Sequence, residues 1–409
     1  MTGRERILAS IAHKEPDRVA RDLGATPSSG ISAIAMNRLD RHLGLNLGPA
    51  KIYDVVQQVS QPDIRLLDHY GIDVIDVGRA FNDRPSDWKP FRLADGSMGQ
   101  VPVWFDWTED AAGVKHVFKK GKEIARMPVG ATFFDGTYVP YPDELPETFD
   151  DLDDQMSMIL WSALVHSPWD HAGEENFWQN LRARAIHLKE TSDRALMIVC
   201  GCNLFEWGTF LRRIDNFLCD LIADEEGVER LLDQLMERHL KTLENVCHYL
   251  GDVCDILRFG DDLGMDSGPF MNPDIYRRLF KPRHTILNRY VHEHSSMKTL
   301  LHSCGSIYRL LPDLIEAGYD VINPVQISSR EMEPEKLKRE FGKDITFWGG
   351  GCDTRSILNH ATPGEVRDHV RRMVDIFAPG GGFVFNTVHN IMPDCPPENI
   401  DAMFRALDE

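Results

Sequence analysis

The chain has no long apolar run. No segment approaches the roughly 18 to 20 uninterrupted apolar residues that a membrane-spanning helix needs, so a bilayer partner is not expected. The opening residues, "MTGRERILASIAHKEPDRV", also lack the charged and then apolar succession of a secretory leader. They read as a short amphipathic helix ending before Pro16, and a cytoplasmic location is the expectation. Positive charge is scarce: 45 Lys and Arg against 64 Asp and Glu leave −19, a surface that on average repels nucleic acid. Cysteine is sparse too, with eight in 409 residues, and without an export signal these are expected as thiols or ligands rather than disulfides. Cys219, Cys247 and Cys254 sit in apolar patterns and read as small buried hydrophobes. There is no internal repeat or low-complexity tract.

What is present is a regular punctuation of short apolar stretches, turns rich in Gly, Asp or Asn, and amphipathic helical patterns. The stretches are "RVARDLG", "GIDVIDVG", "ALMIVCG", "CDILRFGDD", "KTLLHSCG", "DVINPVQ", "ITFWGGGCDT" and "GFVFNTVHN". Helices are expected near 31–44, 60–70, 206–219, 272–294, 306–317, 333–341, 363–377 and from Pro397. Eight strands alternating with helices imply parallel βαβ units closing into a (β/α)8 TIM barrel, with an open doubly wound sheet as the rival. Residues 1–409 read as a single barrel domain. An insertion follows the second strand at 84–150, where "VPVWFDW", "VKHVF" and "ARMPVG" look like short antiparallel strands. Its Trp88, Trp104 and Trp107 are candidate pocket walls, or ordinary core.

In such barrels chemistry gathers at the carboxyl ends of the strands. Those ends carry Asp261 and Asp262, His302 and Cys304, Asn323 and Gln326, Cys352 and Asp353, and Asn386 and His389. Strand alternation places His302 and Cys304 on one face. Thiolate with imidazole favours zinc over magnesium or calcium, so His302, Cys304, Cys352 and His389 are candidate ligands, with Glu206 a further candidate. Asp261 or Asp262 is a candidate for orienting substrate, or is simply a turn and cap. His389, if not a ligand, is a candidate acid, and Asn323, Gln326 and Asn386 are candidate substrate contacts.

Five segments carry a resemblance: "RERILASIAHKEPDRV", "FGDDLGMDSGPFMNPDIYRRLFKPRH", "LLHSCGSIYRLLPDLIEAGYDVINPVQ", "FWGGGCDTRSIL" and "PPENIDAMFRAL". Together they resemble the uroporphyrinogen decarboxylase superfamily, and more closely its corrinoid-dependent methyltransferase branch. The resemblance implies a (β/α)8 barrel. Where the decarboxylases carry "RQAGR" to grip acidic side chains, this chain has "RVARDLGATPSSG", which keeps Arg18 and Arg21 but not the motif. His302 and Cys304 match the His-x-Cys of the zinc-using branch. Thiol-methylating members have a further Cys before the closing Pro-x-Glu-Asn segment, and His389 stands there instead, so either His389 or Cys352 completes the ligand set.

The resemblance implies a zinc enzyme that moves a methyl group between a small O-, N- or S-methyl substrate, or a thiol acceptor, and a corrinoid (cobalamin) carried by a partner protein. Demethylation of an ether is the favoured form. The alternative is a metal-free decarboxylase of a polycarboxylate held by Arg18, Arg21 and Arg258. Barrels of this kind often pair, which makes a homodimer a candidate assembly.

Overall fold

Each of the eight apolar stretches forms a strand of one parallel sheet: β1 Ala20–Arg21, β2 Val74–Asp76, β3 Ala195–Gly201, β4 Ile256–Gly260, β5 Lys298–His302, β6 Val321–Asn323, β7 Thr346–Trp348 and β8 Phe383–Phe385. The computed structural model, which describes residues 1–82, 84–161 and 167–409, orders them β1-β8-β7-β6-β5-β4-β3-β2. Between β1 and β2 the seam is bridged by Asp73: its N–H donates to Arg21 O and its carboxylate accepts the Arg21 N–H, each at 2.9 Å. The sheet therefore closes as a (β/α)8 barrel, as expected.

Alternation along these strands sorts two cores. Val74, Ala195, Met197, Ile256, Leu300, Val321, Trp348 and Val384 point inward and form one buried cluster with Ile7 and Ile11. Those two isoleucines belong to the first helix, Gly3–Ile11, which is opened by a reciprocal cap between Thr2 and Glu5. The helix closes the amino-terminal end: its Arg4 N–H donates to Asp193 O just ahead of β3, and its Ser10 O accepts the Gly382 N–H just ahead of β8. Outward-facing Leu196, Ile198, Leu257, Phe259, Leu301, Phe347 and Phe385 pack in the larger cluster beneath the helices. With its base filled, the barrel keeps free space at the carboxyl end.

Three expectations need correction. Between the helices Ala33–Leu43 and Ile64–His69 lie strands Ala50–Asp54 and Val59–Ser60, in a stretch where no strand was expected. Ala50–Asp54 pairs in parallel with Met98–Pro102, which continues antiparallel to Trp88–Arg92. Ala50–Asp54 also pairs antiparallel with the nearby Val59–Ser60, while the parallel partner lies more than forty residues away, beyond the reach of local pattern. The helix expected near 206–219 is also divided. Phe205–Arg212 ends at Arg213, whose φ of +68° breaks the helical path, and Ile214–Ala223 then leads into the long helix Glu225–Leu250. Asp224 caps that last helix by accepting the Gly227 N–H at 3.0 Å. Cys219 is exposed on the middle helix, whereas Cys247 and Cys254 are buried as expected. No helix among the described residues is long and apolar enough to cross a membrane.

Candidate metal centre

β5 delivers His302 to the carboxyl end of the barrel. Leu300, two residues earlier, faces the interior, so His302 emerges on the same face. The strand stops at His302, however, and alternation cannot carry Cys304. A turn does so instead: the Cys304 N–H donates to Asp262 Oδ1 at 2.8 Å and the Gly305 N–H donates to Gln326 Oε1 at 2.9 Å. Gly305 has a φ of +82°, and a Cβ there would lie 2.4 Å from the Gly264 backbone, so only glycine fits. The thiol is thereby folded back to 3.5 Å from His302 Nε2.

His389 reaches the same point from the loop after β8, its ring centroid 5.6 Å from that of His302. The ligand atoms of His302, Cys304 and His389 all lie within 4.8 Å of one another. For tetrahedral zinc with Zn–N near 2.0–2.1 Å and Zn–S near 2.3 Å, the N to S edge is about 3.6 Å. The 3.5 Å between His302 and Cys304 fits that edge. Three protein ligands leave a fourth position for water or substrate, as in catalytic rather than structural zinc sites.

The surroundings hold these groups in ligand-ready forms. Asn323, at the end of β6, places its amide oxygen 2.8 Å from His302 Nδ1 and donates through Nδ2 to Trp348 O at 3.0 Å. The oxygen accepts, so Nδ1 carries the proton and Nε2 presents its lone pair beside Cys304. Burial, then the charge of Arg258, pushes His302 down to about 3. Burial and then His302 push His389 down to about 4, so both rings are neutral near pH 7. Burial, and next the carboxylates of Asp262 and Glu206, raise the Cys304 thiol well above its ordinary value. A bound dication is what would favour its thiolate.

The two adjacent aspartates separate. Asp261 is fully buried and accepts the backbone N–H groups of Leu204, Phe205 and Glu206 at 3.0, 2.9 and 2.8 Å, while His284 Nε2 lies 3.2 Å away. It fixes the start of the helix Phe205–Arg212 and does not line the cavity, which corrects its candidacy as a substrate-orienting acid. Asp262 lies at the centre, with Oδ1 3.5 Å from His302 Nε2. Its N–H donates to Glu206 Oε2 at 3.2 Å. Burial raises Asp262 and, with the added charge of Asp262 and Asp261, raises Glu206 well above the usual carboxyl range.

Glu206 therefore lines the cavity but stands outside the three-ligand cluster. Cys352 does not join it either. The run Gly349–Gly351 carries the chain past the barrel mouth, and the Cys352 thiol turns into the apolar layer beneath the helices, fully buried. Three candidate substrate contacts act as struts instead: Asn323 orients His302, Gln326 holds Gly305 and Asp266, and Asn386 donates to Asp22 O at 2.9 Å.

A cavity of about 210 Å³ opens on this centre, walled by Trp161 and Phe210 on the apolar side and by Glu206, Arg258, Asp262 and His389 on the polar side. Trp161 and Phe210 escaped sequence reasoning because neither sits in a strand-end motif. Trp88, Trp104 and Trp107 lie elsewhere. Trp88 donates to Asn82 O, Trp104 to Asp170, and Trp107 packs on Phe91 and Phe105. Arg18 is engaged by Asp73 and Gly71 O, and Arg21 by Tyr70 O, Leu407 O and Asp408, so neither reaches the cavity.

Residues 202–409, just over half of the chain, match the family described as uroporphyrinogen decarboxylase (URO-D). The chain belongs to the uroporphyrinogen decarboxylase family. It is similar to the uroporphyrinogen decarboxylases of Pseudoalteromonas translucida (40% identical over 72 residues, 18% of this chain and 20% of that one) and Methylococcus capsulatus (38% over 102 residues, 24% and 26%). That of Magnetococcus marinus is 27% identical over 100 residues, 24% of this chain and 26% of that one. The chain thus spans about a quarter or less of the length of the curated relatives it matches. Among solved structures, a methyltransferase from Methanosarcina mazei shares the fold with a TM-score of 0.59 at 14% identity, over 100% of this chain and 98% of that one. Within the uroporphyrinogen decarboxylase family, then, this member carries two imidazoles and a thiol converging on one point of the barrel mouth.

Proposed function

We propose that this protein transfers a methyl group from a small methylated substrate, an ether in the favoured case, to a corrinoid carried by a partner protein, using zinc held by His302, Cys304 and His389. The single observation carrying this reading is the convergence of those three ligand atoms within 4.8 Å at an open cavity. Zinc there would supply a Lewis acid for the heteroatom that the methyl group leaves.

The remaining work falls to the chain itself. Asn323 keeps His302 in the tautomer whose Nε2 is free. Trp161 and Phe210 give the substrate an apolar wall that excludes water and orients the methyl group toward the mouth. Glu206, held by the Asn203 amide and the Asp262 N–H, is buried in a way that favours its protonated form. It is the group suited to protonate the departing heteroatom. His389, counted among the ligands, would give the metal the lone pair that otherwise carries the extra proton, so it would not be the acid.

The alternative of metal-free decarboxylation loses two of its three arginines, since Arg18 and Arg21 are paired away from the cavity. The two readings separate in one experiment. Elemental analysis is expected to find about one zinc per chain, and reduced cobalamin is expected to be methylated when the protein is supplied with an aryl methyl ether. Both signals should disappear in His302→Ala. Metal-free protein, or a His302→Ala variant as active as the parent, would overturn the reading.

A further inference from the structure

Arg258 is a buried guanidinium with two idle donors among the described residues. It lies on β4 two residues beyond the inward-facing Ile256, so its side chain rises inside the barrel toward the mouth. The residue is 4% exposed, and its Nε and Nη1 are buried with no hydrogen-bond partner among the described residues. The other two buried arginines among the described residues are held by protein acceptors, Arg21 by Tyr70 O, Leu407 O and Asp408. Arg212 is clasped by Asp220 and by the carbonyls of Tyr141 and Pro142.

The carboxyl groups nearest Arg258 are engaged elsewhere. Asp262 Oδ1 accepts the Cys304 N–H, and Glu206 Oε2 accepts from Asn203 and Asp262. Neither is hydrogen-bonded to Arg258, so its buried Nε and Nη1 donors are left for something else. A buried cation with idle donors is costly, and sites that persist with one are built to receive an anion.

Arg258 lines the same cavity as His302 and His389. We infer that the substrate accepted there carries a carboxylate, received by the Arg258 fork while its methylated heteroatom faces the His302, Cys304 and His389 cluster. The planar fork of N–H donors matches the two oxygens of a carboxylate. One cation with idle donors balances the single negative charge of a carboxylate. This inference rests on the methyl-transfer reading for the role of the metal-facing end, but the anion site itself does not.

The test is calorimetric titration of the purified protein, zinc-loaded and chelator-treated, with two acid and amide pairs of different size: methoxyacetate with methoxyacetamide, and 3-methoxybenzoate with 3-methoxybenzamide. At least one acid is expected to bind about ten- to a hundredfold more tightly than its amide, the range for a charge-assisted pair. Arg258→Gln should erase that preference while leaving amide binding in place, and Arg258→Lys should restore part of it. Equal affinities within both pairs on wild-type protein, binding of neither acid, or an acid preference that survives in folded Arg258→Gln, would each overturn the inference. If the preference holds but no methyl reaches cobalamin, the methyl-transfer reading fails and the carboxylate site stands.

Discussion

Replacing Asn323 by alanine removes the acceptor that fixes the His302 tautomer without touching any proposed ligand. In the parent protein the amide oxygen takes the Nδ1 proton at 2.8 Å and the amide nitrogen donates to Trp348 O at 3.0 Å, both inside the barrel. Partners that orient a ligating imidazole are typically worth ten- to a hundredfold in metal affinity, or about 1.4–2.7 kcal/mol. Two buried groups would also lose their partner, at about 1–3 kcal/mol each, so the fold should weaken by about 2–6 kcal/mol. Asn323→Asp separates the two effects. It keeps an acceptor for Nδ1, so zinc affinity should stay near that of the parent, while the lost donor to Trp348 O still costs stability. Competition against a chromophoric chelator reads the affinity, and denaturant unfolding of the chelator-treated proteins reads the stability. Folded Asn323→Ala that binds zinc within twofold of the parent would show that His302 does not offer Nε2 to a metal as described.

Asp261→Ala should destabilise the protein by about 3–5 kcal/mol, because three buried N–H groups and His284 lose a charged partner. Its zinc affinity, measured in the folded fraction, should be unchanged, and a selective loss of zinc would restore Asp261 to the chemistry. Gly305→Ala should cost at least about 2 kcal/mol, from the left-handed backbone and the 2.4 Å approach to Gly264, and should weaken zinc binding by displacing Cys304. A variant with the parent's unfolding midpoint and affinity would refute the close packing of that turn. His239, buried against Asn203 O, is pushed by burial down to about 4 from 6.5. A histidine depressed in the folded state binds its proton in the unfolded state first, so its contribution to stability is lost as pH falls from about 6.5 to about 4, up to about 3 kcal/mol. The difference in unfolding free energy between the parent and His239→Gln should fall across that window, and a difference independent of pH would contradict it.

The eight strands were legible because a doubly buried parallel strand must be written in consecutive apolar residues, and "ALMIVCG" or "GFVFNTV" has few other uses. His302 and His389 were legible for a related reason: polar groups at the carboxyl ends of such strands meet in space. The reason given for Cys304 was incomplete, since β5 ends at His302 and the glycine turn brings the thiol back. Cys352 misled because the chain passes the mouth on three glycines, and a one-residue change of direction sends a side chain to the other core. The choice between Asp261 and Asp262 was beyond local pattern. It depends on where β4 stops and on a helix start at Leu204–Glu206 some 55 residues earlier. The strand Ala50–Asp54 was harder to see because its local partner Val59–Ser60 is only two residues long and its other partner belongs to a different connection.

The stopper formed by Ile7 and Ile11 turns the barrel into a cul-de-sac. A molecule that reaches His302 enters by the carboxyl-end mouth and must leave by it. A second reactant too large for the cavity would have to settle over that same doorway, sealing in the molecule already inside. On the methyl-transfer reading, the small substrate would have to enter before the carrier covers the threshold, and turnover would depend as much on who vacates it as on the bond that is broken.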